Sequence, residues 1–196
     1  MAKPPTYHMA VSVGANGGRR GGLVERGAAH PLTQLIGCVS FVATNQLRQE
    51  SIMPIPNTIT RVLDLAHPQE KVWGALSTVE GLTGWFGSKA EGEVAPGHDV
   101  RMYWGDHDAE GTLEIKVVDP MSVFAYCWTI SGAPAGDPRR TYVEFALEPT
   151  GSGTRLTVTE SGFAQLPDEW LEPSYQGNTE GWKHELGELV AYLDAA

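Results

Sequence analysis

The chain has 196 residues, 41% of them hydrophobic and 19% charged, an ordinary composition for one globular domain with a tail. Fourteen basic residues against 24 acidic ones leave a formal net charge of −10, which argues against a nucleic-acid partner, since phosphates are neutralised by Lys and Arg. Two cysteines, Cys38 and Cys127, cannot build a disulfide framework, and no stretch approaches the ~18 apolar residues of a membrane span.

The first 52 residues differ from the rest. They carry Lys3, Arg19, Arg20, Arg26 and Arg48 against Glu25 and Glu50, a surplus of three positive charges, so the remainder holds a net −13. The run Ala15-Asn16-Gly17-Gly18-Arg19-Arg20-Gly21-Gly22 has no apolar period and cannot offset its ordering entropy by burial, so residues 1–30 are expected to be disordered. The apolar stretch Leu32–Thr44 is too short for an anchor and lacks the charged flank of a signal peptide. Leu35-Ile36-Gly37-Cys38 looks like a lipoprotein box, but the residues before it are not apolar. Met53 is the expected start of the working protein. Residues 1–56 are read as a disordered or loosely attached extension, and 57–196 as the folded domain.

Thr58–Leu65 reads as a strand, with Ile59, Leu63 and Leu65 on one face. Pro68 suits the first turn of a helix, and Val72, Trp73, Leu76 and Val79 form its apolar stripe. Gly81–Gly87 reads as a short second helix or turn. The period then switches to two, with strands expected at Ala90–Val94, Asp99–Trp104, Gly111–Val118, Val123–Ile130, Arg140–Leu147 and Thr154–Glu160. Turn signals such as Pro96-Gly97, Asp119-Pro120 and Thr150-Gly151-Ser152-Gly153 separate them, and the short spacings make neighbours antiparallel. Trp182, Leu186, Leu189 and Leu193 then mark a helix with one apolar stripe. Trp182 opens it, and Lys183, Glu185, Glu188 and Asp194 take the solvent side. The fold class is α+β: a curved antiparallel sheet whose concave face receives the long C-terminal helix, with a gap between the layers where a small molecule fits.

This order of elements, with specific residues, resembles the SRPBCC (START/Bet v 1-like) superfamily, nearest to the branch named after the activator of heat-shock protein 90 ATPase. The resemblance rests on Ile59-Thr60-Arg61, Pro68 with Val72-Trp73-Gly74-Ala75-Leu76, and Leu82 with Trp85-Phe86-Gly87. It continues through Pro96-Gly97, Gly111-Thr112-Leu113, Tyr126-Cys127-Trp128, Thr141–Phe145, Gly153–Thr159 with Ser161-Gly162-Phe163, and Gly181-Trp182 with the leucine stripe. It covers roughly residues 57–195. Gly97-His98 stands where family members often carry Gly-Gly, a change in the turn. The resemblance implies a helix-grip fold with a cavity between sheet and helix. It assigns no chemistry, and the co-chaperones of this branch use a further domain that this tail is too short and Gly-rich to supply.

Trp85, Phe86, Tyr103, Trp128, Phe145 and Trp182 are the candidate ligand-binding residues: large apolar faces with N–H and O–H handles suit a small hydrophobic molecule. Each is equally a candidate for plain core packing. Arg101, Glu114 and Glu144 are expected on the solvated face. No catalytic residue, metal or cofactor is assigned. His184-Glu185-Leu186-Gly187-Glu188 has Glu188 where a zinc-protease helix needs its second His, and reads as a solvated helix face. Asp106-His107-Asp108 reads as a polar hairpin loop, and Gly151-Ser152-Gly153 as a hairpin turn rather than a dinucleotide loop. No serine sits in a G-x-S-x-G elbow. Cys127 opposes Trp128 in parity and reads as a structural thiol.

Three functions are weighed. The leading one is a non-enzymatic domain for a small hydrophobic molecule. A cyclase- or hydratase-type enzyme would need a buried acid or base, with Glu144, Asp106, His98 and His107 as candidates. A chaperone-associated or stress-response interaction domain would offer its net negative charge to a basic chaperone or other protein surface. Nucleic acid and membrane are not expected as partners, and the cytoplasm is the expected location.

Overall fold

The computed structural model describes residues 54–105, 109–130, 133 and 136–195. The expectations for the N-terminal extension and for Asp106-His107-Asp108 lie outside these residues. The elements run β1 (Thr58–Leu65), α1 (Gln69–Ser77), α2 (Val79–Trp85), β2 (Lys89–Gly92) and β3 (Asp99–Trp104). They continue with β4 (Ala109–Asp119), β5 (Val123–Thr129), β6 (Arg140–Thr150), β7 (Gly153–Ser161), a 3-10 turn (Phe163–Gln165) and α3 (Asp168–Ala195).

The seven strands form one curved antiparallel sheet in the order β1-β7-β6-β5-β4-β3-β2. From β2 to β7 every neighbour in sequence is a neighbour in space, as the short turns require. β1 pairs with β7, so α1 and α2 carry the chain from one edge of the sheet to the other. Alternation along each strand sends Val100 and Met102, Phe124, Tyr126 and Trp128, Val143, Phe145 and Leu147, and Leu156 and Val158 to the covered face. Between β4 and β5 the register slips at Lys116, between the Ile115–Tyr126 and Val117–Ala125 pairs, and this bulge adds to the bending of the sheet.

The apolar helical stripe does not stay on one helix. Thr78 breaks it with extended backbone (ψ 152°) and caps α2, its Oγ1 accepting from Gly81 N–H at 2.9 Å and donating to the Gly74 carbonyl at 2.7 Å. Val79 thus belongs to α2. Gly81 makes the tight turn possible, because a Cβ there would strike the Gly74 and Ala75 carbonyl oxygens. Trp85 Nε1 donates to the Ala75 carbonyl at 2.9 Å and locks the two helices together.

α3 is longer than its leucine stripe suggests. It begins at Asp168, so Trp182 lies in mid-helix rather than opening it. The first half is polar and holds Pro173, which removes one backbone donor and hides the helical period. Acidic Asp168 and Glu169 favour the start by facing the positive end of the helix dipole. Arg61 donates to the Thr179 carbonyl at 3.0 Å, Lys71 to the Leu193 carbonyl at 2.6 Å, and His67 meets Asp194 at 2.8 Å, which pin α3 along its length. No helix among the described residues is long and apolar enough to cross a membrane.

Candidate functional site

Five of the six expected aromatic residues meet between the sheet and the helices. Phe86, at the end of α2, lies parallel to Trp182 of α3 with ring centroids 6.0 Å apart. Trp128 of β5 stands 5.9 Å from Phe86 and 5.8 Å from Trp182. Phe145 of β6 meets Trp182 edge-on at 5.7 Å, and Trp85 meets Phe86 at 4.9 Å. These separations are those of rings in direct contact. All five are buried.

Tyr103 is elsewhere. Alternation along β3 buries Val100 and Met102, which turns Tyr103 to the opposite face. There its hydroxyl donates to Glu91 Oε2 at 3.0 Å, and Lys89 lies over its ring. The next residue, Trp104, takes the place expected of it: its ring meets Phe86 edge-on at 5.8 Å, and its Nε1 donates to the Phe86 carbonyl.

Beside the aromatic wall lies a polar group that the sequence reading did not single out. Glu160 of β7 is 0% exposed. Its Oε1 accepts from Trp128 Nε1 at 3.0 Å, Thr141 Oγ1 at 2.6 Å and Asn178 Nδ2 at 2.8 Å. Its Oε2 accepts from Trp182 Nε1 at 2.7 Å. Burial holds the Glu160 carboxyl above the ordinary range, and the four hydrogen bonds offset only part of that rise. The register explains the assembly. Tyr126, Val143 and Glu160 form one row across β5, β6 and β7, and Trp128 faces Thr141 in the next. A signal for Glu160 was present, since period two along β7 puts it on the face of Leu156 and Val158.

Tyr126 stands 1% exposed in the same row, and its hydroxyl has no hydrogen-bond partner among the described residues. Burial first, then the charges of Glu160 and Glu185, push its ionisation far above the usual phenol range. Glu185 corrects the expectation of a solvated helix face. It lies three residues after Trp182 and four before Leu189, hence on the covered stripe, and is buried. Burial, helped by Glu188, raises its carboxyl to about 8. It is therefore a neutral acid at neutral pH.

The other polar candidates are on the outer face or the surface. Arg101 is exposed, Glu114 pairs with Arg140 at 2.9 Å, and half-buried Glu144 accepts from the Tyr142 hydroxyl. His98 is exposed beside Glu93. Cys127 is half-buried on this outer face, with its thiol pushed up by burial. Among the described residues no group of three or more His, Cys, Asp or Glu is arranged to hold a metal.

Comparison with known proteins supports the architecture. A solved protein from Mesorhizobium loti is 27% identical over 71% of this chain and 98% of its own, with a TM-score of 0.61. A protein from Nitrosomonas europaea is 20% identical over 70% of this chain and 94% of its own (TM-score 0.57). CalU16 from Micromonospora echinospora is 19% identical over 69% of this chain and 74% of its own (TM-score 0.52). The last two likenesses speak for the fold alone. No curated protein matches. The family model described as Activator of Hsp90 ATPase homolog 1-like protein matches residues 66–194. With that match, the curved seven-stranded sheet and its long C-terminal helix, the chain belongs to the Activator of Hsp90 ATPase homolog 1-like family of the SRPBCC superfamily.

Proposed function

We propose that this domain binds a small, mainly hydrophobic molecule between the concave sheet and α3, against Trp85, Phe86, Trp128, Phe145 and Trp182. The observation that carries the reading is the buried Tyr126 hydroxyl, unpartnered among the described residues, on the same sheet face as these rings. A buried polar group without a partner costs about 1–3 kcal/mol, so its retention calls for an explanation, and a ligand that completes its hydrogen bond supplies one. Tyr103, bonded to Glu91 on the other face, is left out of the proposed site. The test is native mass spectrometry of the freshly purified full chain, compared with its denatured mass. An extra non-covalent mass that disappears on denaturation supports the reading. A bare mass, together with no change in tryptophan emission on titration with apolar probes, overturns it.

A second reading, an enzyme of cyclase or hydratase type, is favoured by one group. Glu185, held as a neutral acid beside the aromatic wall, is the kind of proton donor such chemistry uses. Turnover of a co-purified ligand that is lost in Glu185→Gln, with binding retained, is the result this reading expects. Ligand recovered unchanged from both proteins excludes it.

A further inference from the structure

The two edges of the sheet differ. β2 spans four residues, exposes the charges of Lys89 and Glu91, and gives its Ala90 N–H to Thr83 Oγ1 of α2 at 3.1 Å. Short length, charge and a covering element keep an edge from pairing with another chain. β1, the other edge, runs for eight residues without Pro, Gly or Lys, and Thr58, Ile59, Thr60 and Val62 in it are β-branched. The Gly162 N–H donates to the Asn57 carbonyl at 3.2 Å, one step beyond the Thr58–Ser161 pair. Bonded and non-bonded pairs alternate along an antiparallel ladder, so Arg61–Val158 and Leu63–Leu156 are bonded pairs. Thr60, Val62 and Asp64 therefore turn their N–H and C=O groups away from β7. The Thr58 carbonyl points the same way and receives the Tyr175 hydroxyl at 3.3 Å, which closes that end of the strand. Arg61 Nη1 reaches the Thr60 carbonyl at 3.2 Å and leaves its second lone pair free. Among the described residues, no hydrogen bond takes up the N–H of Thr60, Val62 or Asp64.

The side chains of this edge point to the same use. Thr60, Val62 and Asp64 lie on the outer face, and Val62, 57% exposed, is the exposed large hydrophobic residue among those described. Thr157, Thr159 and Ser161 stand opposite Val62, Thr60 and Thr58 on β7, so the margin is uncharged apart from Asp64 and the Arg155 that bonds it at 2.8 Å. Depletion of charge around an apolar centre is the composition of an interface core. The charges of β1 and β7 that reach the surface are Arg61, Asp64 and Arg155, a positive surplus on a chain of net charge −10. The chain's overall negative charge is thus not gathered here to repel a second copy.

We propose that β1 is a self-association edge: two copies of the chain pair their β1 strands antiparallel about a two-fold axis at Val62, joining their sheets into one. This register sets Val62 against Val62 of the second copy and Thr60 against its Asp64, all on the outer face. Outward backbone groups meet outward backbone groups, Val62 leaves water, and no like charges stand opposite each other. An axis at Asp64 would set two carboxylates face to face, and an axis at Thr60 would leave Val62 against Thr58. A second copy suits the edge better than a loose peptide, because its β1 is already ordered and pairing costs little further entropy. The association is independent of what the interior binds.

The test is the mass of the full chain by sedimentation and light scattering from micromolar to millimolar concentration, with amide hydrogen exchange read residue by residue. A dimer that dissociates on dilution is expected, with the amides of Thr60, Val62 and Asp64 protected at high concentration and released in the monomer. Val62→Lys alters an exposed side chain and no bond between β1 and β7, so the fold is expected to survive, as circular dichroism checks. It brings two like charges together at the axis and should raise the dissociation constant about tenfold or more. If that variant fails to fold, the concentration dependence of exchange in the unsubstituted chain decides alone. A monomer across the whole range overturns the proposal, and so does a dimer that a folded Val62→Lys variant keeps at full strength. Protection of the three amides at every concentration in a monomer also overturns it, since another part of the same chain would then cover the edge.

Discussion

Glu160 gathers four side-chain hydrogen bonds in the interior. Replacing it with Gln puts an amide N–H₂ where four donors converge, so at least one buried donor loses its acceptor. Glu160→Gln is expected to lower stability by about 2–4 kcal/mol, measured by chemical denaturation. A change within a few tenths of a kcal/mol would mean that the hydrogen bonds to Glu160 contribute little. Glu185 makes a different prediction. Its folded value of about 8 lies above the ordinary 4.5, so the folded state holds the proton more tightly than the unfolded chain. The contribution is complete below pH 4.5 and is lost as pH rises through 8. Glu185→Gln, which cannot ionise, should therefore flatten the fall in melting temperature across that window. Parallel curves for the two proteins would show that Glu185 does not titrate in the fold as a buried acid.

At the scale of elements, the junction of α1 and α2 is the tightest helix contact. Thr78 caps, Gly81 lets the helices approach, and Trp85 bonds across to Ala75. Gly81→Ala forces a methyl group into the Gly74 and Ala75 carbonyls. Despite the better helix propensity of Ala, it is expected to destabilise the protein by about 1–3 kcal/mol in thermal or chemical unfolding. A neutral or stabilising effect would show that the two helices separate easily. Because α2 delivers Trp85 and Phe86 to the aromatic wall, the same substitution should weaken any ligand contact made there.

At the scale of the whole molecule, the buried cluster among the described residues runs from Ile59 to Leu193 and joins every strand to α1, α2 and α3. Among the described residues, that cluster draws on none before Ile59. We therefore expect deletion of residues 1–56 to leave the melting temperature and the sharpness of unfolding unchanged. A clear drop would place part of that segment among the stabilising contacts of the domain.

Much of this fold was legible because period-two and helical stripes are local signals. β1 and β3 have the expected bounds, and the order of elements and the antiparallel neighbours follow from turn chemistry and short connections. Position 85, 86, 128, 145 and 182 aromatics could be named from type and place along the chain. Their meeting could not, because it depends on which strand face each occupies and on sheet curvature, and Tyr103 went to the other face by the parity of a single residue. α3 was only half visible, since in its first half Pro173 interrupts the pattern and the apolar positions reduce to Trp170, Leu171 and Tyr175. Glu185 looked like a solvated charge, and Glu160 drew no reading of its own, because residue type alone favours the surface for carboxylates. Register decided otherwise, since the rows of β5, β6 and β7 bring donors from strands and helix onto one carboxylate. Local sequence thus determined the elements and their order, through periodicity and turn chemistry. Tertiary structure decided which side chains meet, because hydrogen-bond satisfaction and burial are properties of residues far apart in the chain.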